Sequence, residues 1–272
     1  MKVKNIYMKK IIDKLKEIDK KHYLIIGIIC LIIFVIFCIV FFGKNYRMFL
    51  ASYDGGMFIN EYESLNNKLS EDEKKYPKVN ISFSSVKYIT IEEALAMLEK
   101  GSGLDGTGVI YIGYAECIYC RSAIQVLTDT AKESEIDKIY YLDINKYWDI
   151  KEVNSDGEVV VKQKAHDKYN DLLTRLNNDD LYYTTDYILN DKDGNEVYLN
   201  ERRVASPLVL FVVDGYIISS NAGTIVSQVD PYEPLNEEQI KSLSTIYKYG
   251  IRDVVNGIND YKKLESNTNK KQ

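Results

Sequence analysis

Cys117-Ile118-Tyr119-Cys120 is the stretch of this chain whose residue types and spacing could do chemistry. Two thiols three residues apart on a helix share one face, close enough to form a disulfide with little backbone movement. The spacing therefore permits a couple that alternates between dithiol and disulfide. Ala123, Ile124, Leu127 and Ala131 follow at helical spacing, which puts the motif at the start of a helix. Unpaired backbone amides and the macrodipole at a helix start favour a thiolate, so Cys117 is the expected nucleophile, with a pKa below the free value of about 8.5. Cys120, one turn deeper, is expected to be shielded and to resolve the mixed disulfide that Cys117 forms.

Two other uses of such a pair have less behind them. Zinc takes four ligands as a rule, and beyond the pair only His166 remains in the folded part as a nitrogen or sulfur ligand. A purely structural disulfide closing so small a loop would stabilise little. No metal, nucleotide or flavin is expected. Gly101-Ser102-Gly103-Leu104-Asp105-Gly106 fits a dinucleotide fingerprint literally, but it follows a helix and leads into a strand, the reverse of what such a site needs, so it reads as a loop.

The elements around the motif form a consistent pattern. Val79, Ile81 and Phe83 alternate as a strand, and Thr90 with Glu93 forms a capping box that opens a helix running through Met97 to Lys100, closed by Gly101. Val109-Ile110-Tyr111-Ile112 is an apolar run suited to a central strand directly before the motif, and Lys138 to Asp143 is a further strand after its helix. That order implies a parallel βαβ unit whose crossover helix carries the cysteines. Residues 147–203 look like an insertion with turns at Asn154–Gly157 and Asp191–Gly194, and between them a helix with Ala165, Tyr169, Leu172, Leu173 and Leu176 on one face. Val204 to Val213, headed by Ser206-Pro207, turns at Asp214-Gly215 into Tyr216–Ser219 as an antiparallel hairpin. Asn236 and Gln239 cap a last helix with Ile240, Leu243, Tyr247, Ile251, Val254 and Ile258 on its apolar face. The fold class is α/β: a central mixed sheet flanked by helices, occupying residues 79–261, with a polar disordered tail over 262–272.

Residues 22–43 hold no formally charged side chain and are nearly all large and apolar. About 20 such residues cross a hydrocarbon core, so this run is read as one uncleaved transmembrane anchor. The first 21 residues carry eight Lys against three acidic residues, which keeps that basic tail in the cytoplasm and puts the remainder outside. The tail's net +5 against the chain's −5 leaves about −10 for everything after it, which argues against nucleic acid as a partner. Cys30 and Cys38 fall inside the apolar run, and residues 44–78 are read as a partly helical stalk.

The string Val109 to Leu127, the strand Ile139 to Asp143, and Ser206-Pro207 opening a strand with an Asp-Gly hairpin resemble thioredoxins. The anchor, Tyr111-Ile112-Gly113 and the string from Cys117 to Arg121 are similar to the bacteriocin-transport accessory group of thioredoxin-like proteins. The resemblance covers roughly 79–260, with the insertion unmatched. It implies that Pro207 is a cis-proline facing the cysteine pair and that the Ser206 backbone pairs with an extended substrate. The chain departs from the pattern in having Glu116 for tryptophan, Ile118-Tyr119 between the cysteines, and Tyr111 where a buried aspartate would accept a proton, which leaves the redox direction open. Glu116 would oppose a thiolate and Arg121 would favour it, unless both are solvated charges.

Two functions are therefore carried forward. One is a membrane-tethered, extracytoplasmic thiol-disulfide oxidoreductase acting on protein thiols or disulfides, reset by a membrane electron carrier or another secreted thiol protein. The other is a non-catalytic accessory protein that binds a secreted peptide or its exporter. An exposed, acidic Cys117 favours the first and a buried, high-pKa thiol the second.

Overall fold

The computed structural model describes residues 31, 32, 34, 53–70, 73–134, 136–177 and 183–269. The chain divides into units of residues 1–50 and 51–272. In the first, Leu31, Ile32 and Phe34 are helical and exposed, and the rest of the expected anchor, with the basic tail, lies outside the described residues. Among the described residues no helix is long and apolar enough to cross a membrane.

The second unit is built on a five-stranded mixed sheet with helices on both faces. Its strands are β1 (Val86–Tyr88), β2 (Gly108–Gly113), β3 (Ile139–Asp143), β8 (Leu208–Val213) and β9 (Tyr216–Ala222), in the order β1-β3-β2-β8-β9. β1, β3 and β2 run parallel, and β8 and β9 are antiparallel additions. Every residue of β2 is buried, because its side chains alternate between two cores. Val109 and Tyr111 join the core under α3 (Ile118–Lys132) and α5 (Glu237–Asn269), with Ile124, Leu127, Leu243 and Tyr247. Ile110 and Ile112 join the core under α2 (Ile91–Met97) and α4 (Tyr169–Leu176), with Ala94, Leu172 and Leu176. β2, α3 and β3 form the expected parallel βαβ unit.

Local chemistry accounts for most boundaries. Thr90 and Glu93 make the expected reciprocal capping box, and Gly101 sits at φ +84° just past the α2 end. Asp214 and Gly215 both have positive φ, the geometry of the tight turn that matches strand twist, and so join β8 to β9. The insertion holds two hairpins, β4 (Ile150–Val153) with β5 (Val159–Gln163) and β6 (Thr184–Asn190) with β7 (Glu196–Val204). Both close by one device: the first turn residue, Asn154 or Asp191, accepts two backbone amides through its side chain, and a glycine follows at positive φ. In α5, Asn236 and Gln239 cap as expected, but Ile240 on the anticipated apolar face is largely exposed.

Three expectations are corrected. The described part of the 44–78 stretch is not a stalk: a helix over residues 53–63, α1, inserts Phe58 and Tyr62, both 0% exposed, into the core beside Tyr141. Its mixed charge hid two aromatic side chains one turn apart, which are enough to bind a helix face to the sheet. The alternation at Val79 and Ile81 does point both side chains inward, yet these residues pair with no strand. Side chains take the ladder's place, the Val79 amide donating to Asn66 Oδ1 at 3.0 Å and the Ile81 amide to Glu63 Oε1 at 2.7 Å, and sheet pairing begins only at Val86. The tail is helical to Asn269, since adding a residue to a formed helix is far easier than starting one and Lys262, Lys263 and Leu264 are good helix formers.

Candidate functional site

β2 ends at Gly113, and the chain passes through Tyr114 to Glu116 before Cys117 opens α3 as its N-cap. A Cβ at Gly113 would sit 2.6 Å from the Tyr111 hydroxyl and 3.2 Å from Cys120 Sγ, so only glycine lets the strand pass so close beneath the pair. Cys117 Sγ accepts the Cys120 amide at 3.1 Å, the bond expected of a sulfur at a helix start. Cys120 Sγ lies 3.1 Å from Ser206 Oγ, and the Cys117 thiol points at the Ser206 carbonyl at 3.7 Å. Both thiols are free, Cys120 is 0% exposed and Cys117 9%. The Ser206–Pro207 peptide is cis. The structure brings Cys117, Cys120 and Ser206 together next to the cis Pro207; sequence reading assigned Ser206 a backbone role only, and its hydroxyl also faces the deeper sulfur.

Compared with known protein families, curated proteins and solved structures, the chain matches none.

The electrostatics reverse one expectation. Burial and the neighbouring Cys120 sulfur push the Cys117 thiol well above its usual value, against the pull of the Cys120 amide. Cys120 is also opposed by burial, but hydrogen bonds from Cys117, Ser206, the Tyr114 backbone and Tyr111 outweigh it and lower its pKa. The first proton therefore leaves the pair easily and the second with difficulty, with the negative charge held on the deeper sulfur.

Tyr111, standing where an aspartate was missing, is fully buried. Its hydroxyl bonds to the Tyr62 hydroxyl at 3.0 Å and donates to the Cys120 carbonyl at 3.3 Å. Its ring stacks on Tyr141, whose hydroxyl donates to Glu61 Oε1 at 2.9 Å, and Tyr88 donates to the other oxygen of that carboxylate. Burial raises the Glu61 pKa, countered in part by these bonds. Tyr62 and Glu61 come from α1, so the stretch read as a stalk supplies the floor of the site.

Arg121 is not the solvated charge that was one expectation. It is 0% exposed and spends its donors on Pro77 O (2.7 Å), Tyr62 O (2.8 Å), Ala115 O (3.3 Å) and Asn66 Oδ1 (2.7 Å), with Tyr76 over its plane. Placed on the first turn of α3, it clasps the segment that precedes the sheet. Glu116 and Tyr119 are exposed and Ile118 half-buried, all three lining the mouth of the cleft.

That cleft, of about 710 Å³, runs from Cys117 and Ser206 to the insertion, whose Trp148, Tyr187, Ile188 and Arg203 form its far wall. Trp148, Tyr187 and Arg203 were missed. The one available signal was that Arg203 lies three residues before Ser206, at the end of the insertion. Among the described residues no group of three His, Cys, Asp or Glu is arranged to hold a metal, and His166 sits against Tyr147 and Glu92. What the arrangement can do is pass a disulfide between a bound thiol and the pair, since the outer sulfur borders an open cleft and the inner sulfur lies directly behind it.

Proposed function

We propose that this chain is a thiol-disulfide oxidoreductase of thioredoxin-like fold, tethered by residues 22–43 to the outer face of a membrane and acting on protein thiols or disulfides. The observation that carries this reading is the pair of free thiols at the start of α3, the outer sulfur accepting the Cys120 amide and both sulfurs meeting Ser206, beside an open cleft. The five-stranded mixed sheet flanked by helices is compatible with that fold.

In the reducing direction, the Cys117 sulfur attacks one sulfur of a substrate disulfide once its proton has passed to the Cys120 thiolate. The substrate S–S bond breaks, its second sulfur leaves as a thiolate that takes a proton from solvent, and a mixed disulfide joins Cys117 to the substrate. Cys120 gives up its proton and attacks the Cys117 sulfur, releasing the second substrate thiol and leaving the Cys117–Cys120 disulfide, so two electrons pass to the substrate with one proton from the pair and one from solvent. A dithiol protein or membrane electron carrier restores the pair. With the pair oxidised, the same steps in reverse oxidise substrate dithiols. Cys117 Sγ is the attacking atom because it alone borders the cleft, while Ser206 Oγ and the Tyr111 hydroxyl hold the charge on Cys120.

One observation favours the second reading, an accessory that binds without chemistry: the outer thiol is buried and its pKa raised. The readings separate in an exchange assay with the full-length chain and a disulfide-bonded protein substrate. The oxidoreductase reading expects turnover that Cys117→Ser abolishes, and a mixed disulfide trapped by Cys120→Ser. Equal rates in wild type and Cys117→Ser would leave the accessory reading.

A further inference from the structure

Arg203 differs from the other arginines of the described residues. Arg121 is saturated by oxygen acceptors, Arg175 donates to the Leu98 and Gly215 carbonyls, Arg202 pairs with Asp186 at 2.7 Å and Arg252 with Asp253 at 3.3 Å. Arg203 has no carboxylate in contact among the described residues, and its buried Nε has no hydrogen-bond partner. Its side chain meets the Tyr169 hydroxyl and two rings: its guanidinium lies 3.5 Å from the Trp148 ring centroid and 4.2 Å from that of Tyr187.

Two rings against one guanidinium restrict its orientation and displace water from it, and because Arg203 lines the cleft a ligand there can meet its remaining donors. A planar fork of N–H donors matches a carboxylate two bonds at a time. A half-buried cation with no acid partner among the described residues is a charge that a ligand would complete.

The position of this group ties it to the cysteines. Arg203 lines the same cleft as Cys117 and Ser206, and it precedes Ser206 by three residues. Tyr114, whose ring meets Trp148 edge-on at 5.3 Å, lies between the two places and feels the charges of Cys117, Cys120 and Arg203 alike. Lys151, the other cation of the cleft, is already held by Asp149 at 3.1 Å and Glu201 at 2.5 Å. Exposed Ile188 and Tyr119 add apolar wall on either side, suited to flanking side chains.

We propose that Arg203, gripped by Trp148 and Tyr187, is a carboxylate-binding subsite that selects extended polypeptides carrying an acidic side chain close to the reacting cysteine. This rests on the oxidoreductase reading for its biological sense, but the subsite is a binding element and is tested as one.

The probes are fluorescein-labelled extended peptides in which serine stands for the reacting cysteine and a single Asp is moved through the flanking positions, each paired with its Asn counterpart. Anisotropy titration against the full-length chain should find a position where the Asp peptide binds about tenfold tighter than the Asn peptide, the effect of one charge-assisted contact. In Arg203→Gln the two should bind within about twofold of each other. Because the Asp-to-Asn swap needs no protein variant, the expectation stands even if Arg203→Gln folds poorly. Equal binding of the acid and amide peptides to wild type at every position, or a preference that survives in Arg203→Gln, overturns the subsite. Cysteine forms of the same peptides, followed for disulfide exchange, separate the two ideas: exchange without acid preference sinks the subsite alone, and acid-selective binding without exchange sinks the oxidoreductase reading alone. Glutathione exchanging as fast as the best acidic peptide would overturn the polypeptide assignment.

Discussion

The segment before the sheet and the insertion before β8 both lie outside the βαβ frame, and they are attached in opposite ways. Residues 53–70 and 73–83 are sewn into the core: Phe58 and Tyr62 are completely buried, Tyr62 touches the tyrosine beneath Cys120, and Arg121 is saturated by acceptors that this segment largely supplies. The insertion is anchored through α4 and Trp148 but keeps Val159, Val161, Ile188 and Tyr198 exposed, with its arginine stacked yet unpaired. A charge whose donors are all met by backbone and side-chain oxygens serves the fold; a charge set against rings in a cleft, with no acid in contact among the described residues, suits a ligand. The floor of the site is therefore structural and its far wall is available for recognition.

The comparison can be broken most directly at Phe58. Phe58→Ala should cost about 3–5 kcal/mol in chemical denaturation, the usual loss for emptying a buried aromatic site, whereas Val161→Asn on the insertion should stay within about 0.5 kcal/mol. Equal small losses would return residues 53–78 to a stalk. Arg121→Met should cost roughly 3 kcal/mol by leaving several buried oxygens without donors. It should leave the pH profile of thiol modification unchanged; a shifted profile would mean that this cation acts on the sulfurs after all. Glu61→Gln should give a smaller effect, read in the pH dependence. Burial raises the Glu61 pKa above 4.5, so its contribution is full below pH 4.5 and is lost as pH rises through the folded value. The glutamine variant should flatten the fall in denaturation midpoint between pH 4.5 and 7, and an unchanged slope would place the pH dependence elsewhere.

Much of this was legible in the sequence because the signals were local. The capping box at Thr90, the Asp214-Gly215 turn, the apolar run of β2 and the cysteine spacing each specify a few neighbouring residues, and the sheet follows from their order. What was illegible depends on contacts far apart in the chain. Nothing near Arg121 reveals that Pro77 and Tyr62 bring acceptors to it, so a buried clasp looked like a solvated charge. Val79 and Ile81 alternate as a strand would, yet Asn66 and Glu63 had taken their amides. At the site, cysteine spacing told which sulfur is outer and which inner, but their relative acidity depends on Ser206 and Tyr111, which only the fold brings beside Cys120.

The central claim is that Cys117 and Cys120 form a working redox couple. The full-length chain should be equilibrated with glutathione buffers and the free Cys117 trapped, with Cys117→Ser as the control. The pair is expected to pass between dithiol and disulfide at a potential between about −270 mV, where reductases of this kind lie, and about −120 mV, where oxidases lie. A pair that stays in one state across that whole range would contradict the account and leave the cleft as a binding site alone.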